Sequence, residues 1–534
     1  MTRAIHIIAE FAVVQAAVLL MACHSFRQES DPVPDNGDES IDERVNREVI
    51  DAQLDSLYLW NEAYRETTHD MNQSYDKYLK DVLSQMYRAG VNLQDGYKSG
   101  NNWHFYTYIT REAASGSATR ADDKKEKVLG LGMSVRPVHF DNSSRVYLIV
   151  EYVIPDSPAK SAGIERGDVI GKINGVQVTQ NNYGSYSSIY YDEFESSTKY
   201  SFSILQSLAA DGTPSYGSAV EVTTDYHYAT PVVLWRIYKI KGHSVGWIVY
   251  TGFKTGYDED LQKVFDRFRE ERVTDIIFDL RYNGGGDVES CCKTASILAG
   301  GDCAGEVFLY YRYNAERMRK RKCNVNDYRT YNRRMFDTEL ARKYGFDFEK
   351  IHIVGTSATA SASELLVNSL RGVGKRVVVV ACENTNGKDV GMEIYKPVKS
   401  YDGYRYTLAP ISFQCYNARG ESDYDDGFAP DLRPAVDYEG YVPSPWGLSY
   451  NRKTKEIELN DYLADALMDI AGTFTADDVE VVSPEGGSDT RAGGLCGLAE
   501  REGVAIGMRN IEPAFDRGGN IFKNNMYEIV AEER

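Results

Sequence analysis

Histidine and cysteine are scarce in this 534-residue chain, eight of each, and neither falls into a pattern that holds a metal. No C-x-x-C occurs, Cys291 and Cys292 are immediate neighbours, and Cys303, Cys323, Cys382, Cys415 and Cys496 are scattered. Zinc-ligand spacing is therefore missing, and no metal or other cofactor is expected. The thiols are expected to be buried apolar groups with one or two disulfides among them. His69, His104, His139, His227, His243 and His352 lie outside any motif, so a Ser-His-Asp triad has no marker. His352, on a strand, is expected to pack or hydrogen-bond locally. Positive charge is also short: 60 Lys and Arg against 79 Asp and Glu give −19, which speaks against nucleic acid and anionic membrane surfaces as partners. The basic stretch 312–343, with eleven Arg and Lys, reads as a solvated, partly helical loop in so acidic a chain. A strand running into a glycine turn at 275–287 lacks both G-x-G-x-x-G and G-x-x-x-x-G-K-[ST], which argues against phosphate binding. No paired carboxylate motif points to polysaccharide hydrolysis.

Apolar sequence is concentrated at the start. Residues 1–22 carry Arg3 and an apolar run broken only by His6, Glu10 and Gln15, and the run ends in L-M-A-C at 20–23. That tetrapeptide resembles a bacterial lipobox. It implies removal of a signal peptide before Cys23, lipidation of its thiol, and an exported protein held in the cell envelope by a lipid anchor. Residues 23–44 then read as an acidic flexible tether. The remaining length suits two to four domains, since single cores stop growing near ~250–300 residues. From 45 to 120, Val49, Leu54, Leu57, Tyr58, Leu59, Trp60, Tyr75, Tyr78, Leu79, Val82, Leu83, Met86 and Tyr87 recur at three- and four-residue steps, which predicts an N-terminal helical region.

The stretch 354–388 is the most informative. Ile351, Ile353 and Val354 predict a short strand, and small residues from 355 to 362 allow a tight turn. Leu365, Leu366, Leu370 and Val373 give a helical stripe stopped by Gly372 and Gly374, and 376–382 suits a buried parallel strand. Ser361 then stands at a helix N-terminus, where unpaired N–H groups favour developing negative charge. Lys388 follows 27 residues later on the loop after the next strand. A lysine is a base only when neutral, so such a site has to desolvate it and lower its pKa from about 10.4. Ser357 and Ser363 are the fallback nucleophiles. Glu364 is expected to interact with the helix N-terminus rather than act as an acid, and Cys382, inside an apolar run, to be an inert thiol.

T-A-S-A-S-E at 359–364 followed by E-N-T-N-G-K at 383–388 is similar to the active-site signature of the C-terminal processing peptidases, also called tail-specific proteases. The resemblance implies Ser361 as nucleophile and Lys388 as general base. The spacing is two residues longer than the family pattern, through the turn at 372–375. Met392 stands where many members carry a Gln, so that third residue is not carried over. D-L-R-Y-N-G-G-G at 279–286 resembles the family's D-L-R-x-N-x-G-G motif, which implies an oxyanion hole from the N–H of Gly284 or Gly285 together with that of Ala362. V-L-G-L-G-M-S-V at 128–135 and S-P-A-K-S-A-G-I-E-R-G-D-V-I-G-K-I-N-G-V-Q-V at 157–178 resemble a PDZ domain. There the N–H groups of Leu131, Gly132 and Met133 would cradle a terminal carboxylate while the peptide adds as a strand. The Tyr- and Ser-rich piece 181–198 reads as an inserted or extended loop, and the loop 417–431 as bordering the cleft.

The expected architecture is an α/β multidomain protein: an N-terminal helical region, a PDZ domain over 121–229, a crotonase/Clp-protease-like β/α catalytic core over 230–472, and a C-terminal extension over 473–534. The expected activity is serine endopeptidase cleavage of envelope proteins or peptides captured by their free C-termini. The alternative is a proteolytically inactive lipoprotein that binds peptides or scaffolds other envelope proteins.

Overall fold

The structure, a computed structural model, describes residues 39–483 except 100–101, 114–124, 126, 141–143, 210, 396–398, 436–437, 439–441, 452 and 460; beyond 483 it describes 495–497, 512–513 and 527–530. The targeting segment and Cys23 lie outside the described residues. Among those described, no helix is long and apolar enough to cross a membrane.

A six-stranded sheet in the order Val377–Val380, Ile351–Val354, Asp275–Asp279, His243–Tyr250, Val232–Ile240, Val479–Val482 forms the core of the largest part of the molecule. The first four strands run parallel. Their runs of Val, Ile and Phe are buried on both faces, as parallel strands covered by helices require. Helices Asp258–Glu270, Val288–Ala299 and Ala362–Gly372 bury Phe265, Phe268, Leu298, Leu365 and Leu370 in one cluster, and Tyr462–Ala471 covers a second cluster with Trp247 and Val380. Val479–Val482 pairs with Val232–Ile240, so the core extends past residue 472 and the extension begins later than expected.

A second sheet, ordered Asn332–Met335, Val307–Arg312, Ile411–Tyr416, Val390–Tyr395, Tyr527–Val530, packs alongside. The chain passes from Val377–Val380 in the first sheet to Val390–Tyr395 in the second through the loop that carries Lys388. The basic stretch holds two short helices and a strand; Arg317 is buried against Glu393, so the stretch is less solvated than its composition suggests.

The N-terminal region is helical only to Arg88. Tyr75–Arg88 buries Tyr78, Leu79, Val82, Leu83 and Met86 along one face. Beyond it come strands Gly96–Ser99, Asn102–Phe105 and Tyr108–Ala113, which corrects the helical expectation for 45–120. Aromatic and β-branched residues such as Phe105, Tyr106, Tyr108, Ile109 and Thr110 favour a pleated surface, and Tyr108–Ala113 pairs with Tyr404–Ala409. This region is thus no separate body: Val49, Tyr78 and Met86 share a core with Met392, Ile394 and Ile411.

The PDZ domain is an antiparallel sheet ordered Pro214–Tyr216, Lys199–Leu208, Val169–Ile173, Tyr147–Val153, Met133–His139, with Glu512–Pro513 paired to the last. Its Arg166 joins the domains. The guanidinium donates to Tyr282 Oη at 2.6 Å and lies 3.9 Å from the Trp446 ring centre. Among the described residues, the six cysteines with described side chains form no disulfide, and four of them are buried.

Candidate active site

Strand Ile351–Val354 is wholly buried and runs into a turn fastened to its neighbour strand: Thr356 Oγ1 donates to Arg281 O and Thr359 Oγ1 to Leu280 O, both at 2.8 Å. The turn ends at Ser361, which has φ 62° and ψ −115° and no exposed surface. A non-glycine residue held at positive φ is costly, and such strain gathers at functional sites where the surroundings over-determine it. Ala362–Gly372 starts immediately afterwards, so the N–H of Ala362 is one of the helix's unpaired donors.

Glu364 ties this helix head to the lysine loop. Its Oε2 accepts from Ser361 N at 2.9 Å and from Lys388 N at 2.8 Å. Its Oε1 accepts from Gly387 N and from Thr385 Oγ1, both at 2.6 Å. One fully buried carboxylate thereby fixes the backbone of the serine and of the lysine to the same oxygen atom. Burial raises its pKa to about 7, against the lowering effect of those four donors. The Glu364 reading from sequence, a partner for the helix N-terminus, holds and is widened. The lysine loop is braced from outside by 417–431: a Cβ at Gly387 would lie 2.1 Å from Asp425 O, and Phe428 N donates to Thr385 Oγ1 at 2.7 Å.

Lys388 is 1% exposed, and burial pushes its ammonium down to about 7, opposed by the charges of Asp95 and Glu364. Its Nζ sits 4.5 Å from the centre of the Tyr106 ring. Tyr106 Oη donates to Asn386 Oδ1 at 3.0 Å, and Asp95 accepts from Tyr58 Oη at 2.6 Å and from Thr107 N at 2.8 Å. The N-terminal region therefore supplies one wall of the lysine pocket. Sequence reasoning missed Asp95 and Tyr106, which no local motif marks. Met392 is buried among apolar side chains shared with the N-terminal helices.

The glycine bend follows Asp275–Asp279. Arg281, with no exposed surface, is gripped by Asp279 and Asp461, at 2.6 and 2.7 Å from Nη2. Gly286 has φ 132°, and a Cβ there would lie 2.1 Å from Phe253 O. Of the two candidate oxyanion donors, Gly285 N is taken by Asn283 Oδ1 at 2.9 Å, whereas Gly284 N makes no hydrogen bond among the described residues. Of the two, Gly284 N is the one left open among the described residues. Ser363 Oγ donates to Asn283 O at 3.0 Å, and His352 Nε2 lies 2.8 Å from Asp469 Oδ2, so both serve local structure. Ser357 is half-buried, with its N–H on Glu383 Oε1, and Cys382 is only partly buried.

On the PDZ domain, Leu131 N and Gly132 N point at one carboxylate, that of Asp192, at 2.5 Å to Oδ1 and 2.8 Å to Oδ2. Met133 opens strand Met133–His139 opposite Val153 and makes no hydrogen bond with Asp192 among the described residues. The piece 181–198 is not a plain loop but holds Tyr183–Tyr186 and helix Ser187–Tyr191, which ends at Asp192 in the left-handed region.

Residues 244–433 match Peptidase family S41 and residues 149–187 match the PDZ domain. The chain is 25% identical over 274 residues to Carboxyl-terminal-processing peptidase 1, chloroplastic, of Arabidopsis thaliana, covering 51% of this chain and 50% of that protein. It is 23% identical over 180 residues to the C-terminal processing peptidase, chloroplastic, of Tetradesmus obliquus, covering 32% of this chain and 37% of that one. The chain thus spans half or less of the length of these curated relatives. The crystal structure of an S41-family protein from Bacteroides fragilis NCTC 9343 shares the fold at TM-score 0.58 and 22% identity, over 83% of this chain and 99% of that one. Residues 244–433 thus carry a Peptidase family S41 domain behind a PDZ domain, and the chain is similar in sequence to C-terminal processing peptidases.

Proposed function

We propose that this protein is a serine endopeptidase in which Ser361 attacks and Lys388 serves as the base, acting on proteins or peptides whose free C-termini the PDZ domain captures. The observation that carries this is the Glu364 carboxylate, which holds Ser361 N and Lys388 N on one oxygen while the lysine is buried and pushed down to about 7. An amine that is neutral above about pH 7, on a loop held to the serine's turn through Glu364, can take the hydroxyl proton as the scissile carbonyl is attacked. The N–H groups of Gly284 and Ala362 would then receive the oxyanion, and Lys388 would return its proton to the leaving amine. Removal of one such donor costs about 10²–10³ in turnover. The names of the Arabidopsis and Tetradesmus relatives support C-terminal processing as the reaction class. Acylation of Cys23 and placement in a bacterial envelope complete the proposal; incorporation of labelled fatty acid into wild type but not into Cys23→Ala is the check.

The deciding experiment is cleavage of an unstructured reporter with an apolar, free C-terminus by wild type, Ser361→Ala and Lys388→Ala across pH. Loss of cleavage in both variants is expected. Retained cleavage in Lys388→Ala removes the dyad, and absence of cleavage by wild type leaves a peptide-holding protein.

A further inference from the structure

In the PDZ domain, two of the N–H donors expected to cradle a captured C-terminus already hold a carboxylate from the chain itself. Leu131 N and Gly132 N each take one oxygen of Asp192, a forked geometry that a terminal carboxylate would reproduce. The loop is rigid around these donors. Leu131 O accepts from Ala159 N at 2.9 Å, Gly132 O from Ile154 N at 2.8 Å and from Ser157 Oγ at 3.2 Å. Gly130 leaves the room that Asp192 fills, since a Cβ at 130 would lie 2.8 Å from Asp192 Oδ1. On the other side stands His227, 5% exposed, whose Nε2 has no hydrogen-bond partner among the described residues and would lie 2.9 Å from a Cβ at Gly132. The site is therefore built for an anion.

Asp192 arrives from a segment able to leave. It caps the five-residue helix Ser187–Tyr191, with φ 55° and ψ 42°. A helix this short has little stability of its own and depends on the surface it packs against. Ile189 is buried in the PDZ core beside Leu131 and Met133, while Tyr183, Tyr186, Tyr190 and Phe194 are only partly buried against it.

We propose that 181–198 is a built-in competitor: the Asp192 side chain occupies the carboxylate position of the PDZ loop, and a substrate C-terminus binds by displacing it. The inference rests on the reading of the PDZ domain as a C-terminus receptor. A protease with this device would ignore weak C-termini and respond to those that bind tightly enough to expel Asp192, because the apparent affinity is lowered by the fraction of molecules whose loop is open.

The test uses the full chain carrying Ser361→Ala, so that no probe is cleaved. The probe is a fluorescent peptide ending in an apolar residue, as the free acid and as the amide. Asp192→Asn, which sets an amide NH₂ against a backbone donor, is expected to bind the free acid about tenfold more tightly than the parent, with the amide weak on both. Equal binding of the free acid by parent and variant overturns the competitor and leaves C-terminus capture intact. Failure of both proteins to distinguish acid from amide overturns the capture reading and the competitor with it. Hydrogen exchange on the parent needs no variant at position 192. Saturating free acid should speed exchange across 181–198 while 128–135 stays protected; unchanged protection of 181–198 overturns the proposal.

Discussion

Glu364 in the catalytic core and Asp192 on the PDZ domain are both carboxylates whose two oxygens accept N–H groups from a turn remote in sequence. Glu364 takes three backbone donors and a hydroxyl, has no exposed surface, and sits at the head of an eleven-residue helix packed on a sheet. Asp192 takes the N–H groups of Leu131 and Gly132, is half-buried, and ends a helix of five residues. The donors are alike; the surroundings set how replaceable each carboxylate is. Removing a buried, fully used acceptor strands every donor it served, whereas removing a half-exposed one hands its donors to water.

The largest effect expected from this contrast is at Glu364. Glu364→Ala would leave the N–H groups of Ser361, Gly387 and Lys388 and the hydroxyl of Thr385 without their acceptor. A loss of about 3–5 kcal/mol in stability is expected, read by denaturant unfolding. Glu364→Gln keeps the shape, and turnover separates its role from simple scaffolding. Because the Glu364 charge raises the Lys388 pKa, its neutralisation should move the rise of activity to lower pH while kcat falls. An unmoved profile would make Glu364 a strut only.

The pH profile of the wild-type protein comes next. Cleavage should fall about tenfold per pH unit below 7 and level off above it, because the amine must be neutral. The stability consequence has its own sign. Folding lowers the Lys388 pKa to about 7, so the unfolded chain binds the extra proton between that value and about 10.4. The Lys388 contribution to stability is present above that window and is lost as pH falls through 7. Glu364 runs the other way: its pKa is raised to about 7, so its contribution is present in acid and lost as pH rises through that value. The two therefore oppose each other near neutrality. Asp95 adds a smaller effect. Its charge also raises the Lys388 pKa, and Asp95→Asn should shift the activity profile to lower pH by about one unit or less.

Legibility followed sequence distance. Ser361 and Lys388 could be picked out because each lies in a short motif, and Ser361-x-x-Glu364 is itself a capping-box pattern. The parallel strands were legible as unbroken Val and Ile runs. Asp95 and Tyr106 were not, since Tyr106 meets Asn386 across 280 residues and nothing beside it in sequence marks the contact. The choice between Gly284 and Gly285 turns on where the Asn283 side chain points, a matter of conformation rather than composition. The strands at 96–113 carry an aromatic pattern that suits helix and sheet alike, and pairing decides it: Gly96–Ser99 with Asn102–Phe105, and Tyr108–Ala113 with Tyr404–Ala409. From sequence Asp192 belongs to a loop, because a single acid in a Tyr- and Ser-rich stretch carries no signal until the Leu131 and Gly132 donors are seen.

The smallest effect on stability should come from Asp192, and that smallness is the point of the contrast. Asp192→Asn should cost about 1 kcal/mol or less, because Leu131 N and Gly132 N lie where water can reach once a half-buried side chain withdraws. Denaturant unfolding of this variant beside Glu364→Ala measures both carboxylates on one scale. A cost for Asp192 as large as that for Glu364 would mean that the PDZ loop needs its internal carboxylate to fold. A released Asp192 would then carry a penalty that few C-termini could meet, and the two carboxylates would differ in place but not in kind.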